Sequence, residues 1–241
     1  MSPSDRQADT RLLMIRHAQA SFGSDDYDRL SERGLRQAEL LADWLAAQPE
    51  LEFTHVVSGT QRRHRETLQA LATAAAVAGQ PLPIATADAD WNEFDHESLL
   101  RGYAAHAAQD PDLVALRVGL DQARILAVIS RAFQAWANGE LDAFMPETLL
   151  SFRDRVRRAR DRAEQAAGSG TALVISSGGV ISRCAQALLA LDEAETIRHN
   201  LSLANSGIVE FARENGRWQL RRWSYLPHLD SEAHRELRSF I

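Results

Sequence analysis

The chain contains no lysine; all 27 of its basic residues are arginine. Enzymes that hold a carbonyl as a lysine Schiff base are thereby excluded, as are phosphate-binding loops built around an essential lysine. Cysteine is nearly absent as well. The single Cys184 rules out an internal disulfide and suits a reducing compartment. Its place in an apolar helical stretch reads as a buried, inert thiol rather than a nucleophile. No apolar run approaches membrane-spanning length, and the polar start Met1 to Thr10 has no signal-peptide core, so a cytoplasmic protein is expected. A dominant charge block is also missing. The net charge is -6, and the basic stretch from Arg153 to Arg162 is interrupted by Asp154 and Asp161, which gives no reason to expect a nucleic acid or a membrane as partner. His55, His106, His199, His228 and His234 lack the spacing of a metal site, and neither a metal nor a cofactor is expected.

What is present suffices for one sizeable core: 241 residues, 45% hydrophobic and 25% charged. Short apolar runs at Leu12 to Ile15, Thr54 to Val57, Pro83 to Ala87 and Thr171 to Ile175 read as strands. They alternate with helical patterns at Ser31 to Ala47, Thr60 to Val77, Thr148 to Ala167 and Gly178 to Ala190. That rhythm predicts an α/β fold, a mainly parallel sheet sandwiched by helices. Gly207 to Ala212 and Trp218 to Trp223, separated by Glu214-Asn215-Gly216, predict a hairpin on an Asn-Gly turn. From about 97 to 145 the spacing is helical throughout, and Phe133 and Trp136 on it read as packing. This stretch is taken as a helical cap inserted into a single domain of residues 11–241, which follows a flexible tail of residues 1–10.

The chemistry gathers where strands end. Arg16-His17 closes the first strand, and at the carboxyl edge of such a sheet these side chains face a crevice. Neutral imidazole is a nucleophile near pH 7, while a guanidinium fork neutralises and orients phosphate oxygens. A second segment, Val57-Ser58-Gly59-Thr60-Gln61-Arg62-Arg63-His64-Arg65-Glu66-Thr67, runs from a strand end into a helix whose start adds backbone N–H donors. A third, Asp90 to His96, sets Glu93 between Trp91 and Phe94. The fourth, Leu173-Val174-Ile175-Ser176-Ser177-Gly178-Gly179-Val180, is a strand, a turn and a helix start.

In this order the four segments resemble the histidine phosphatase superfamily, also called phosphoglycerate-mutase-like, and the resemblance covers the chain from Leu12 to about Tyr225. It departs from the usual Arg-His-Gly wording at Ala18, a modest methyl intrusion. The resemblance implies that His17 is the nucleophile and that Arg16 and Arg63 grip the phosphoryl group, Arg63 being selected because it lies four residues before Thr67. Glu93 is implied as proton donor to the leaving alcohol, a task that needs a carboxyl kept protonated by burial or by nearby negative charge. Asp95 is its reserve. Ser177 stands where the family has its second active-site histidine, and losing one preorganised donor typically costs about a hundred- to a thousandfold in rate. Ser177, Gly178, Gln19, Ser21 and Asn205 are the candidate substrate contacts. Glu147-Thr148 with Phe152 and Arg155 is similar to the family's helix before the fourth strand and is read as packing. Arg62 and Arg65 are read as surface charges, His64 as solvent-facing, and His96 as a loop residue.

The implied activity is a metal-independent phosphomonoester hydrolase that acts through phosphohistidine on a small phosphorylated metabolite. Two alternatives remain open: a phospholigand-binding protein of the same fold with weak or no turnover, and a mutase-type phosphotransferase. A mutase must bind a doubly anionic substrate, and Arg101, Arg117, Arg124 and Arg131 are merely scattered along the insertion. Ser177→His is expected to raise turnover if the native residue only weakens catalysis. Oligomeric state is not legible in the sequence.

Overall fold

The computed structural model describes residues 10–21, 28–116, 118–119 and 121–240. Its strands β1 (Arg11–Arg16), β2 (His55–Ser58), β3 (Thr86–Ala87), β4 (Thr171–Ser176), β5 (Ile208–Glu214) and β6 (Arg217–Tyr225) form one sheet in the order β3-β2-β4-β1-β5-β6. The pairs β3–β2, β2–β4 and β4–β1 are parallel, whereas β5 and β6 are antiparallel additions at one edge. Leu12–Ile15 of β1, Val56–Val57 of β2 and Ala172–Ile175 of β4 are unbroken apolar runs, as a sheet covered on both faces requires. Because side chains alternate along a strand, Leu12, Met14, Ala172 and Val174 pack on one side, and Leu13, Ile15, Leu173 and Ile175 on the other.

The second face carries α1 (Glu32–Ala46) and α2 (Arg62–Val77), through Leu41, Ala42, Leu68 and Leu71. The first carries α6 (Leu149–Ala167) and α7 (Gly178–Leu189), and the inserted helices α3 (His96–His106), α4 (Pro111–Ala115) and α5 (Gln122–Ala137) join the same core. Phe133 and Trp136 are buried there against Phe94, with ring centroids 5.4 and 5.1 Å away, so the aromatic stripe of the insertion is packing. Cys184 is buried on α7, and burial pushes its thiol up to about 12. None of the described helices is long and apolar enough to cross a membrane.

The boundaries depart from expectation in instructive places. The predicted strand from Pro83 shrinks to Thr86–Ala87, since a proline has no N–H to give to a ladder. α2 starts at Arg62 rather than Thr60, because Asn92 Oδ1 takes the N–H groups of Thr60 and Gln61 at 2.7 and 3.3 Å. Helix α8 (Glu193–Ser202) was not anticipated, although Asp192 and Glu195 form a reciprocal capping box at its start. Thr10, assigned to the tail, belongs to the fold: it is buried, and its hydroxyl donates to Gly168 O at 2.6 Å. The rest of the predicted tail, and residues 22–27 of the predicted polar loop, lie outside the described residues. Asn215 and Gly216 both have positive φ, 50° and 76°, which the predicted hairpin turn requires.

Candidate active site

The parallel strands carry their pairing one residue past their ends. His17 N donates to Ser176 O at 2.8 Å and Gly59 N to Ile175 O at 3.1 Å, so the residues that follow β1, β2 and β4 meet at one carboxyl edge. His17 comes from the first, Gly59 and the start of α2 from the second, and Ser177 with the start of α7 from the third. This is where an open α/β sheet binds ligands.

His17 is 6% exposed. Its Nδ1–H donates to Ala18 O at 2.7 Å, which leaves the lone pair on Nε2. Burial, reinforced by Arg63, His64 and Arg16, holds the ring well below the usual histidine range, so it is neutral at physiological pH. Arg63 Nε donates to that lone pair at 3.2 Å. The other nitrogens of Arg63 reach Asp28 Oδ1 at 2.6 Å and Gln61 Oε1 at 2.9 Å. Arg16 donates through Nη1 to the carbonyls of Leu203 and Phe240, and it packs near Gly178, where an added Cβ would stand 3.7 Å from Nε. The structure thus brings His17 and Arg63 into direct contact, with Arg16 one residue away. Arg62 and Arg65 are exposed, as expected for surface charges.

Glu93 arrives from the segment between β3 and α3. Its Oε2 accepts from Gly179 N at 2.9 Å and its Oε1 from Phe94 N at 3.2 Å, while its own N–H donates to Gln61 Oε1 at 3.1 Å. Gln61 therefore ties the Glu93 segment to Arg63. Ser176 Oγ donates to Trp91 O at 2.7 Å, and Arg155 donates to Asp90 O and Asn92 O while paired with Glu147 at 2.7 Å. The Glu147 and Arg155 pair, expected to pack its helix, also fixes the Glu93 segment. Asp95, the reserve acid, is the N-cap of α3. Burial raises its carboxyl, but hydrogen bonds from the Ser98 hydroxyl and N–H prevail and hold it below the usual range, which suits a cap and not a proton donor.

The largest departure is His64. It is fully buried, not solvent-facing: Nε2 lies 2.7 Å from Ser177 Oγ, and its ring centroid is 5.5 Å from that of His17. Helical geometry explains this, because consecutive residues differ by about 100° around a helix and both Arg63 and His64 fit on the inward arc, with Arg62 and Arg65 outside it.

The remaining candidates divide. Gly178 and Ser177 are at the edge itself, buried at the start of α7. Gln19 closes the start of α1, where its N–H donates to Gln37 Oε1 at 2.8 Å and its Oε1 accepts from Ser31 Oγ at 3.0 Å. Gly34 makes that approach feasible, since a Cβ there would stand 2.0 Å from Gln19 O. Ser21 N donates to Arg29 O at 2.8 Å. Asn205 has no exposed surface, and its amide bridges His17 O at 3.4 Å and Ser239 Oγ at 2.9 Å, so it braces the backbone of His17 rather than meeting a ligand. Sequence reasoning missed Asp28, Gln61, Asn92 and Thr67, whose hydroxyl accepts from Ala18 N at 3.1 Å. Gln61, two residues before the selected arginine at a helix start, and Thr67, four residues after it, carried a local signal.

The family model of the histidine phosphatase superfamily (branch 1) matches residues 12–116 and 97–225. Among curated proteins none matches the chain in sequence. Solved structures share the fold. A phosphoglycerate mutase from Bacillus anthracis superposes with a TM-score of 0.64 at 16% identity, over 92% of this chain and 96% of that one. A phosphoserine phosphatase mutant from Entamoeba histolytica, in complex with phosphoserine, gives 0.60 at 18% identity, over 91% and 99%. A mycobacterial glucosyl-3-phosphoglycerate phosphatase with inorganic phosphate gives 0.59 at 23% identity, over 91% and 99%. The chain belongs to branch 1 of the histidine phosphatase superfamily.

Proposed function

We propose that the protein hydrolyses a small phosphomonoester through a phosphohistidine on His17, without a metal ion. The observation that carries this reading is the state of His17: a neutral ring, its proton fixed on Nδ1 by Ala18 O and its Nε2 lone pair turned to Arg63. An incoming phosphoryl group replaces that long contact. Nε2 bonds to phosphorus, Arg16 and Arg63 hold the equatorial oxygens, the ester P–O bond breaks, and Glu93 gives its proton to the departing alkoxide. Water then attacks phosphorus, the N–P bond breaks, and the water proton returns to Glu93 as phosphate leaves. Charge neutralisation comes from guanidinium groups, which is why the scheme needs no cation.

Hydrolysis is favoured over a mutase reaction by the insertion. Arg101, Arg124 and Arg131 are each paired with an acidic neighbour, Glu97 at 3.8 Å, Asp112 at 2.9 Å and Asp110 at 2.7 Å respectively, which leaves little cationic reserve for a second phosphate. Arg117 lies outside the described residues. A phosphate-binding protein with little turnover is the competing reading, and Ser177 is the feature behind it. With one unpaired thiol, a reducing cytoplasmic setting is the compartment we assign.

Acid quenching after brief incubation with a labelled phosphomonoester tests the scheme. Label retained on His17 through a base-stable, acid-labile bond is the expected result, with hydrolysis lost in His17→Ala and insensitive to EDTA. A full rate in His17→Ala removes the proposal.

A further inference from the structure

Burying an imidazole costs stability unless its nitrogens are used, and His64 uses only one. Its Nδ1 has no hydrogen-bond partner among the described residues, and an arginine adjoins it in the chain. An apolar side chain would fill the same space more cheaply. The nitrogen that is used meets Ser177 Oγ at 2.7 Å. Ser177 is unusual in turn: it is the N-cap of α7, where a serine hydroxyl ordinarily accepts from a helix N–H, yet it makes no such bond. Its hydroxyl has His64 as its sole partner among the described residues. It directly follows Ser176, whose carbonyl accepts from His17 N at 2.8 Å.

We propose that Ser177 donates its hydroxyl proton to a phosphoryl oxygen and that His64 is the positioning residue that aims it, by donating from Nε2–H to Ser177 Oγ. The inference rests on the phosphohistidine reading above. The single ring proton of a neutral His64 has two possible seats. On Nδ1 it faces no acceptor, and the serine proton is then spent on Nε2. On Nε2 it leaves the serine proton for the anion, and the two dipoles point the same way, each polarising the next. Burial, then Arg63, holds His64 neutral, so one proton is what it has to place. An imidazole on α2 fixes the direction in which a hydroxyl at the end of β4 donates.

Kinetics with p-nitrophenyl phosphate test this. His64→Leu and Ser177→Ala are each expected to lower kcat about ten- to a hundredfold with KM moved less than about threefold, as for loss of a transition-state donor. The double variant should be no slower than the worse single, because the two residues act as one unit. His64→Gln, whose amide N–H reaches the position of Nε2, should keep kcat within about fivefold of the parent. Where the leucine variant does not fold, His64→Asn, whose shorter amide does not reach Ser177, serves as the loss variant. The inference is overturned if the loss variant stays within about twofold of the parent, if glutamine rescues no better than leucine or asparagine, or if the single losses multiply. His17→Ala, run alongside, separates this from the reading beneath it: a full rate there removes phosphohistidine chemistry itself.

Discussion

Gly179 donates its N–H to Glu93 at 2.9 Å only because it has no side chain: a Cβ at that position would stand 2.3 Å from Glu93 Oε1 and 2.7 Å from Phe94 Cε1. The second glycine of the turn after β4 thus makes room for Glu93, the proposed general acid. Its backbone lies in a helix without a positive φ, so alanine adds no backbone strain and the conflict is with the side chains of Glu93 and Phe94. Gly179→Ala should therefore lower stability, because the buried Phe94 ring must shift, and lose at least about tenfold in kcat, because a misplaced acid loses the effect of proximity. Thermal unfolding beside steady-state kinetics checks it, and parental kcat would separate Glu93 from the proton transfer.

In the proposed scheme Asp28 competes with the substrate for Arg63. Its carboxylate takes Arg63 Nη1 at 2.6 Å and Arg62 N at 2.6 Å, so a phosphoryl oxygen must displace it to use the full guanidinium fork. Asp28 is 38% exposed and partly screened, which keeps the effect modest. Asp28→Asn should tighten inorganic phosphate, read as product inhibition, by about two- to fivefold. Weaker inhibition would mean that Asp28 chiefly orients Arg63 for the ligand.

The fold was legible because it is written in short-range patterns: alternating apolar strands, capped helices and an Asn-Gly turn each act over a few residues. The candidate site was legible only where a residue type announces its chemistry, as at Arg16, His17, Arg63 and Glu93. His64 was misread because its neighbours Arg62 and Arg65 are charged and exposed, and nothing local distinguishes an inward histidine from an outward one. Asp28 and Asn205 act across 35 and 188 positions of sequence, on Arg63 and on His17 respectively. Contacts of that range are set by the finished fold.

The buried position of His64 reverses one expectation drawn from sequence. Ser177→His was expected to raise turnover if the native serine only weakens catalysis, but an imidazole at 177 must enter space that His64 fills to within 2.7 Å of the serine oxygen. Overpacking of a buried site costs about 1–3 kcal/mol. The single variant should therefore lose both stability and activity. The pair Ser177→His with His64→Ala exchanges the ring from α2 to the strand end at nearly constant volume, and it should recover at least about tenfold in kcat over the single. Equal rates for the single and the pair would show that crowding by His64 is not what limits the enzyme.

Acid should weaken the fold earlier than carboxylate titration alone would. His17, His64 and His228 are buried, and burial is the main cause that depresses each of them: His17 and His64 well below 6.5, and His228 to about 3, with Arg238 adding to its shift. Between the depressed native value and the ordinary one, the unfolded chain binds a proton at each ring that the native state does not. Stability therefore rises with pH across that interval; it is complete above about pH 6.5 and is lost steadily as pH falls below it, by up to about 1.4 kcal/mol per pH unit for each ring. His228 Nε2 meets Ser206 Oγ at 2.8 Å, so that ring is held by contacts separate from the pair at the candidate site. Urea midpoints measured from pH 7.5 to 5 should fall progressively, and His64→Gln, which removes one titrating ring while keeping a donor, should make the decline shallower. Level midpoints down to pH 5 would mean that the native rings accept protons where they lie, and would undo the assignment of His17 as a neutral nucleophile.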